Sequence, residues 1–347
     1  MRVGIVGYGL AGRVLHGRLL AGTPGARVAA VVTRDPQRRA EVITDHPAAV
    51  VCDDLRAALD LVDVVVVASP DSSHAELADL AIEAGRAVVV DKPFATSAAA
   101  ARALVRHAAA RGVPLTVFQN RRWDSDQLTL RRLITAGELG EVRRYESRFE
   151  RWRPQLTPGK WRETLPESRG GGVLFDLGSH LVDQALQMFG PVAGVYAEID
   201  SRRGGSEDDV FLALTHAGGV RSALWASSVT AAPGPRLRVL GSGGAFLLDG
   251  LDGQEAALRD GQVPGADGLW GVEPPEHAGA LLRGAERWPV PSERGRWDLF
   301  YPAVLAAVRD GAPVPVDPAG AVAVLDVLEA ARRSAATGTV VRPVPVG

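Results

Sequence analysis

MRVGIVGYGLAGRVLHGRLL, residues 1–20, runs from an apolar β-type segment (3–6) into Gly7-Tyr8-Gly9-Leu10-Ala11-Gly12. From there apolar side chains recur at helical spacing at Leu10, Val14, Leu15 and Leu19. Strand, glycine turn and helix in that order form the pattern of a dinucleotide-binding turn. Gly7 permits the tight turn, Gly9 lets backbone approach a pyrophosphate with no Cβ in the way, and Gly12 lets helix and strand pack closely. The phosphates are expected on the N–H groups that open the helix, at Leu10 and Ala11, where the helix dipole is positive.

The rest of the chain is consistent with an α/β protein of about two domains, since it has 347 residues and is 46% hydrophobic. A formal net charge of −2 leaves no basic face for nucleic acid or an anionic membrane, so a small, neutral or modestly charged substrate is expected. The opening residues form a structural strand without a basic-then-apolar leader, and no apolar run reaches membrane length. A cytoplasmic location is expected. Cys52 is the single cysteine and lies in an apolar run, which reads as a buried structural thiol. No metal-ligand cluster is apparent, and no metal is expected. Basic residues are nearly all arginine, with lysine only at Lys92 and Lys160. A compact ammonium differs chemically from guanidinium, so these two positions attract notice.

Strand 27–32 ends where a dinucleotide fold selects its cofactor, with an acidic residue for a ribose 2′-hydroxyl or arginine for a 2′-phosphate. The sequence there is Thr33-Arg34-Asp35-Pro36-Gln37-Arg38. Asp followed by Pro before a helical stretch reads as an N-cap, which leaves Thr33, Arg34 and Arg38 to meet the ribose and favours NADP over NAD. Strands follow at 50–52 and 63–68, the second a β-branched run of the kind buried on both faces of a parallel sheet. Ser69 and Pro70 end it and should border the nicotinamide. His74, in the same turn, is counted with the residues around the cofactor as a group that caps or packs the next helix. Strand 87–90 runs into Asp91-Lys92-Pro93-Phe94, which places Lys92 at the carboxyl edge of the sheet. The last strand of this half, 115–118, leads to Asn120-Arg121-Arg122-Trp123-Asp124.

These motifs together resemble the Gfo/Idh/MocA family of sugar and cyclitol oxidoreductases, most nearly its NADP-linked scyllo-inositol dehydrogenase branch. The resemblance extends over nearly the whole chain. Its usual tripeptide is Glu-Lys-Pro, where this sequence has Asp91-Lys92-Pro93. It implies an N-terminal Rossmann domain, 1–119, and a C-terminal α+β domain, 120–347, for substrate and oligomerisation. The C-terminal helices could pack back on the first domain. Asp91, Lys92 and Asn120 are expected near the cofactor, and Trp123 near the substrate.

Beyond residue 120 the pattern changes. All seven tryptophans lie at or after Trp123. Residues 141–149 alternate, with Tyr145, Ser147 and Phe149 on one face, and further strands are expected at 192–199, 210–215, 220–227, 237–240 and 245–248. Clustered strands after a βα-alternating half predict a largely antiparallel open sheet, whose exposed face the resemblance suggests as the interface of a homodimer or homotetramer. The long loop 150–172 carries Trp161 and Arg162, which can stack on and hydrogen-bond a polyhydroxylated ring. Little is read from 250–296, and Lys160 has no assigned role.

In helix 174–189, Asp176 and His180 stand four apart on one face, with Asp183 three further on. By themselves they read as a hydrogen-bonded structural pair or as two metal ligands lacking a third. The resemblance implies that they act with Lys92. On that basis His180 is the general base, Lys92 stabilises charge on the reacting oxygen, and Asp176 orients His180 or holds a neighbouring hydroxyl. The implied function is NADP(H)-dependent oxidation of a secondary alcohol, or reduction of the ketone, of a cyclitol or sugar. The alternatives are a sugar-nucleotide or amino-sugar ketoreductase and, from another class, a non-catalytic NADP(H)-sensing regulator.

Overall fold

Residues 1–159, 161–265 and 268–343 are described by a computed structural model, in which the chain divides into two compact units. The first holds Met1–Asn120, Gln254–Trp270 and Arg296–Val322, and the second holds the remainder.

In the first unit, six short apolar runs become the strands of one parallel sheet. They are β1 (Arg2–Val6), β2 (Arg27–Val32), β3 (Val50–Cys52), β4 (Val64–Val67), β5 (Ala87–Asp91) and β6 (Leu115–Phe118), in the order β3-β2-β1-β4-β5-β6. All four valines of β4 are buried, as a strand covered on both faces requires. The chain winds one way from β1 to β3 and the other way from β4 to β6, so the switch point lies between β1 and β4. After β1 the helix opens with the wide π winding, Leu10–Gly17, and closes as α1 (Arg18–Ala21). The glycines answer to close approach. A Cβ on Gly12 would sit 1.9 Å from the Gly7 carbonyl oxygen, and one on Gly7, whose φ is +90°, would sit 2.7 Å from that of Ala68. The sheet is flanked by α2 (Pro36–Asp45), α3 (His74–Glu83) and α4 (Ala98–Arg111).

The second unit begins with α5 (Ser125–Thr135) and builds an eight-stranded sheet. Its strands are β7 (Val142–Glu150), β8 (Val192–Asp200), β9 (Asp209–His216), β10 (Arg221–Ser227), β11 (Leu237–Gly241), β12 (Ala245–Leu248), β13 (Gly279–Arg283) and β14 (Glu286–Val290). The order is β14-β13-β12-β11-β7-β10-β9-β8, antiparallel except for the parallel pair β7 and β10. Tyr145, Ser147 and Phe149 of β7 are buried on one face, as their alternation predicts. That face is covered by α6 (Ser179–Phe189). The opposite face carries a ladder of long side chains, in which the Arg148 guanidinium lies 3.9 Å from the Trp225 ring centroid and pairs with Glu146 at 3.0 Å.

The architecture is therefore the expected one, a Rossmann sheet and a largely antiparallel sheet. What composition hid lies in 250–296. There α7 (Gln254–Arg259) contributes to the first unit, while β13 and β14 form an edge hairpin in the second. Pro289 is tolerated because β14 is the outermost strand. Residues 296–322, which include α8 (Phe300–Asp310), also belong to the first unit.

Candidate active site

In the first unit a cavity of about 340 Å³ opens beside the glycine turn, between the start of the first helix and α2. The first bond within that helix runs from the Arg13 N–H to the Gly9 carbonyl at 2.8 Å, so the N–H groups of Leu10, Ala11 and Gly12 precede it and are available to an anion. A Cβ on Gly9 would meet nothing nearer than the Arg38 guanidinium at 3.8 Å. The space over Gly9 is thus left for something other than protein, and the site fits a phosphorylated nucleotide. Asp35 caps α2, its carboxylate accepting from the Arg38 N–H at 3.0 Å. Thr33 is buried, with its N–H donating to the Cys52 carbonyl at 3.1 Å. Arg34 donates from Nε to the Asp53 carbonyl at 3.0 Å, Arg39 pairs with the Asp53 carboxylate, and neither lines the cavity. Arg38 does line it, and among the described residues no ion pair neutralises it.

Past β4, Pro70 is exposed and the Ser69 and Ser73 hydroxyls are hydrogen-bonded at 2.7 Å. His74 is buried with Nδ1 at 2.9 Å from the Pro93 carbonyl and Nε2 at 2.9 Å from that of Ser69. Both ring nitrogens are engaged with main chain. Its place in the site is to tie the loop after β4 to the loop after β5, in addition to starting α3.

Lys92 follows β5 directly and is half-buried, its N–H donating to the Asp91 carboxylate at 2.9 Å. Near the Asp91 carboxylate is a group no pattern announced. His16, from the first helix, is fully buried with Nδ1 2.6 Å from the Tyr301 hydroxyl of α8 and Nε2 3.9 Å from Asp91. Burial pushes its pKa down to about 4, against the opposing pull of Asp91. The imidazole is therefore neutral in the folded protein at pH 7, while the unfolded chain takes up a proton near the ordinary value of 6.5. Stability contributed this way is complete above 6.5 and is lost as pH falls toward 4, by about 3 kcal/mol at the lower end. We expect His16→Gln to flatten the pH dependence of urea unfolding between pH 7 and 4.5; an unchanged slope would show that other groups dominate.

In the second unit, Asp176 lies in a wide π-type turn, Leu174–Gly178, that leads into α6 and His180. The sequence placed both on one continuous helix, and the winding instead changes between them. Asp176 stands 3.8 Å from Arg151, just beyond the end of β7, and 3.8 Å from Arg162 in the long loop. Arg151 is fixed by main-chain bonds on both sides, donating to the Ser227 carbonyl and accepting from the Thr230 N–H. Burial lowers its pKa, and Asp176 works in the opposite direction. His180 is buried, and its ring meets that of Phe149 edge-on with centroids 6.2 Å apart. Phe149 also lies against two guanidiniums, Arg236 at 4.2 Å and Arg121 at 5.1 Å. Arg236 is held by Asp126 at 3.0 Å, by Gln184 at 2.9 Å and by Ser147. One turn beyond His180, Asp183 accepts both Nε (2.9 Å) and Nη2 (2.6 Å) of Arg122. Asn120 is buried at the end of the first unit, and Trp123 is half-buried in the second. Arg162 is half-buried; the side chain of Trp161 and all of Lys160 lie outside the described residues.

Sequence reasoning missed Arg13, Glu41 and Tyr8 on the cavity wall, Arg151 beside Asp176, and Arg122 as the partner of Asp183. For the wall a signal existed, because Arg38, Glu41 and Asp45 follow one another at spacings of three and four on α2. For Arg122 and Arg151 there was none, since an arginine's partner in another element leaves no local pattern.

A parallel sheet with a glycine turn at its switch point, joined in one chain to a mostly antiparallel sheet covered by the helix that carries His180, defines a nucleotide-dependent oxidoreductase architecture. The chain belongs to the Gfo/Idh/MocA oxidoreductase family: residues 1–119 match its NAD-binding Rossmann domain and residues 127–247 its C-terminal domain. Among curated relatives it is 36% identical to scyllo-inositol 2-dehydrogenase (NADP(+)) IolW of Bacillus subtilis, over 96% of this chain and 93% of that protein. It is also 36% identical to the uncharacterized oxidoreductase YdgJ of Escherichia coli, over 96% of each. Among solved structures, a putative oxidoreductase from Klebsiella pneumoniae superposes with a TM-score of 0.90 at 36% identity, covering 100% of this chain and 97% of that one. No helix among the described residues is long and apolar enough to cross a membrane.

Proposed function

We propose that this protein transfers a hydride between NADP(H) and a secondary alcohol or ketone of a cyclitol or sugar. The observation that carries the reading is the turn after β2. Asp35, the acidic residue that would suit a ribose 2′-hydroxyl, lines the cavity but gives one carboxylate oxygen to the cap of α2, while Arg38 turns an un-neutralised guanidinium to the cavity over Gly9. The NADP-linked relative supports the same choice. Bound nicotinamide would accept or supply the hydride. The chain's own work is to move a proton and hold charge. His180 takes the hydroxyl proton as general base and returns it in the reverse direction, and Lys92 donates a hydrogen bond to the reacting oxygen as negative charge develops there. Asp176, with Arg151 and Arg162 beside it, holds a neighbouring hydroxyl or orients His180. Trp123, Trp161 and Arg162 contact the substrate ring. Ser69, Pro70 and Asn120 border the cofactor, and the exposed face of the second sheet joins copies of the chain into a homodimer or homotetramer in the cytoplasm.

The reading requires Lys92 and His180 to serve one substrate oxygen. Lys92→Met and His180→Asn should then be strongly non-additive, the double variant scarcely slower than either single one. The direct test is a panel of inositols and sugars with NADP and NAD, followed by nicotinamide absorbance. Turnover of some polyol, faster with NADP, is expected. Arg38→Gln should cut the NADP over NAD preference by about tenfold or more, the scale of one charge-assisted phosphate contact of about 1.5–3 kcal/mol. An unaltered preference would remove Arg38 from the site.

A further inference from the structure

Arg13 is the second cation on the cavity wall, and unlike Arg38 it is over-neutralised. Its Nη1 lies 2.9 Å from Glu41 Oε1, and its Nε lies 2.7 Å from Asp45 Oδ2. Asp45 is also bound by the Tyr8 hydroxyl at 3.0 Å, which anchors this carboxylate and the Nε edge of Arg13 to the wall. Glu41 is different. It lines the cavity itself, one turn from Arg38, and besides the ion pair with Arg13 it accepts a long bond of 3.5 Å from the Gln37 amide. Two carboxylates on one guanidinium leave the Arg13 group one negative charge in excess, on a cavity wall that Arg38 and the helix-capping Asp35 also line with one charge each of opposite sign. Asp45 alone would neutralise Arg13.

We propose that Glu41 is a specificity-determining residue that limits the preference for a 2′-phosphorylated dinucleotide, both by occupying Arg13 and by adding a negative charge to the cavity. The proposal rests on the NADP reading above. Both nucleotides carry the pyrophosphate, and a 2′-phosphate adds a charge close to that of a dianion, so the extra carboxylate weighs more on the 2′-phosphorylated nucleotide. Replacing Glu41 with glutamine keeps the length of the side chain, removes the charge, and weakens the hold on the Nη1 edge of Arg13 so that the phosphate can compete for it.

The test is the dissociation constant of NADPH and of NADH for the full-length protein, by nucleotide fluorescence, in the wild type and in Glu41→Gln, Glu41→Asp and Arg38→Gln. Glu41→Gln should tighten NADPH by about threefold to tenfold and change NADH by less than about twofold, a gain that collapses near 1 M salt. Glu41→Asp keeps the charge and should hold the wild-type ratio. An unchanged ratio in Glu41→Gln, equal tightening of both nucleotides, or the same rise in Glu41→Asp would each overturn the proposal. If Arg38→Gln lowers the ratio while Glu41→Gln does nothing, only the role of Glu41 is lost. If Arg38→Gln also does nothing, the NADP reading itself has failed.

Discussion

Lys92→Met is expected to reduce turnover by about a hundredfold to ten-thousandfold while NADPH binds with nearly wild-type affinity. Methionine keeps the length and the apolar stem of lysine, so what is removed is the ammonium. Lys92 stands immediately after β5, its main chain held by the Asp91 carboxylate at 2.9 Å and the following carbonyl, that of Pro93, held by His74 at 2.9 Å. These anchors do not involve the side chain, so the substitution should leave the loop in place. A group that binds only the ground state would raise KM and leave kcat alone; one that meets charge forming on the reacting oxygen lowers kcat. Wild-type turnover in Lys92→Met would sink the catalytic assignment. A parallel loss of NADPH affinity would move Lys92 from the chemistry to the cofactor.

The second large effect is one of stability. Arg122→Met should destabilise the second unit by about 3–5 kcal/mol in urea unfolding, because it strands a buried carboxylate. Asp183 has 3% of its side chain exposed and already feels burial raising its pKa, with Arg122 as the opposing influence. Without Arg122 the carboxyl would be raised further. A carboxyl whose folded pKa lies above its unfolded one binds more protons when folded, so the variant should regain stability as pH is lowered from 7 toward 5. Asp183 is one turn from His180 on α6, and turnover should fall as well. A variant as stable as the wild type, with no added pH dependence, would show that solvent reaches Asp183.

Much of this was legible in short patterns. The glycine turn, the β-branched run of β4, the Asp35-Pro36 cap and the alternation in β7 each state a local rule, and the coordinates follow it. The hairpin β13 and β14 was not legible, because Gly and Pro in 250–296 read as loop unless the strand is known to be an edge. The π winding before α6 was hidden too, since the spacing of Asp176 and His180 reads equally well on a regular helix.

Among the candidate site residues the division is the same. Residue type and spacing determined where the glycine turn follows the first strand and which helix bears the histidine, because strand and helix periods are set by backbone geometry within a few residues. They did not determine charge. Of the arginines near the cavity, Arg34 turns to a carbonyl, Arg39 to Asp53 and Arg13 to two carboxylates, while Arg38 keeps its charge for the cavity. Arg122 finds Asp183 61 residues away, and His16 finds Tyr301 285 residues away. Which cation is neutralised and which imidazole is buried depends on what tertiary packing brings within a few ångströms, since Coulomb and desolvation energies follow distance in space.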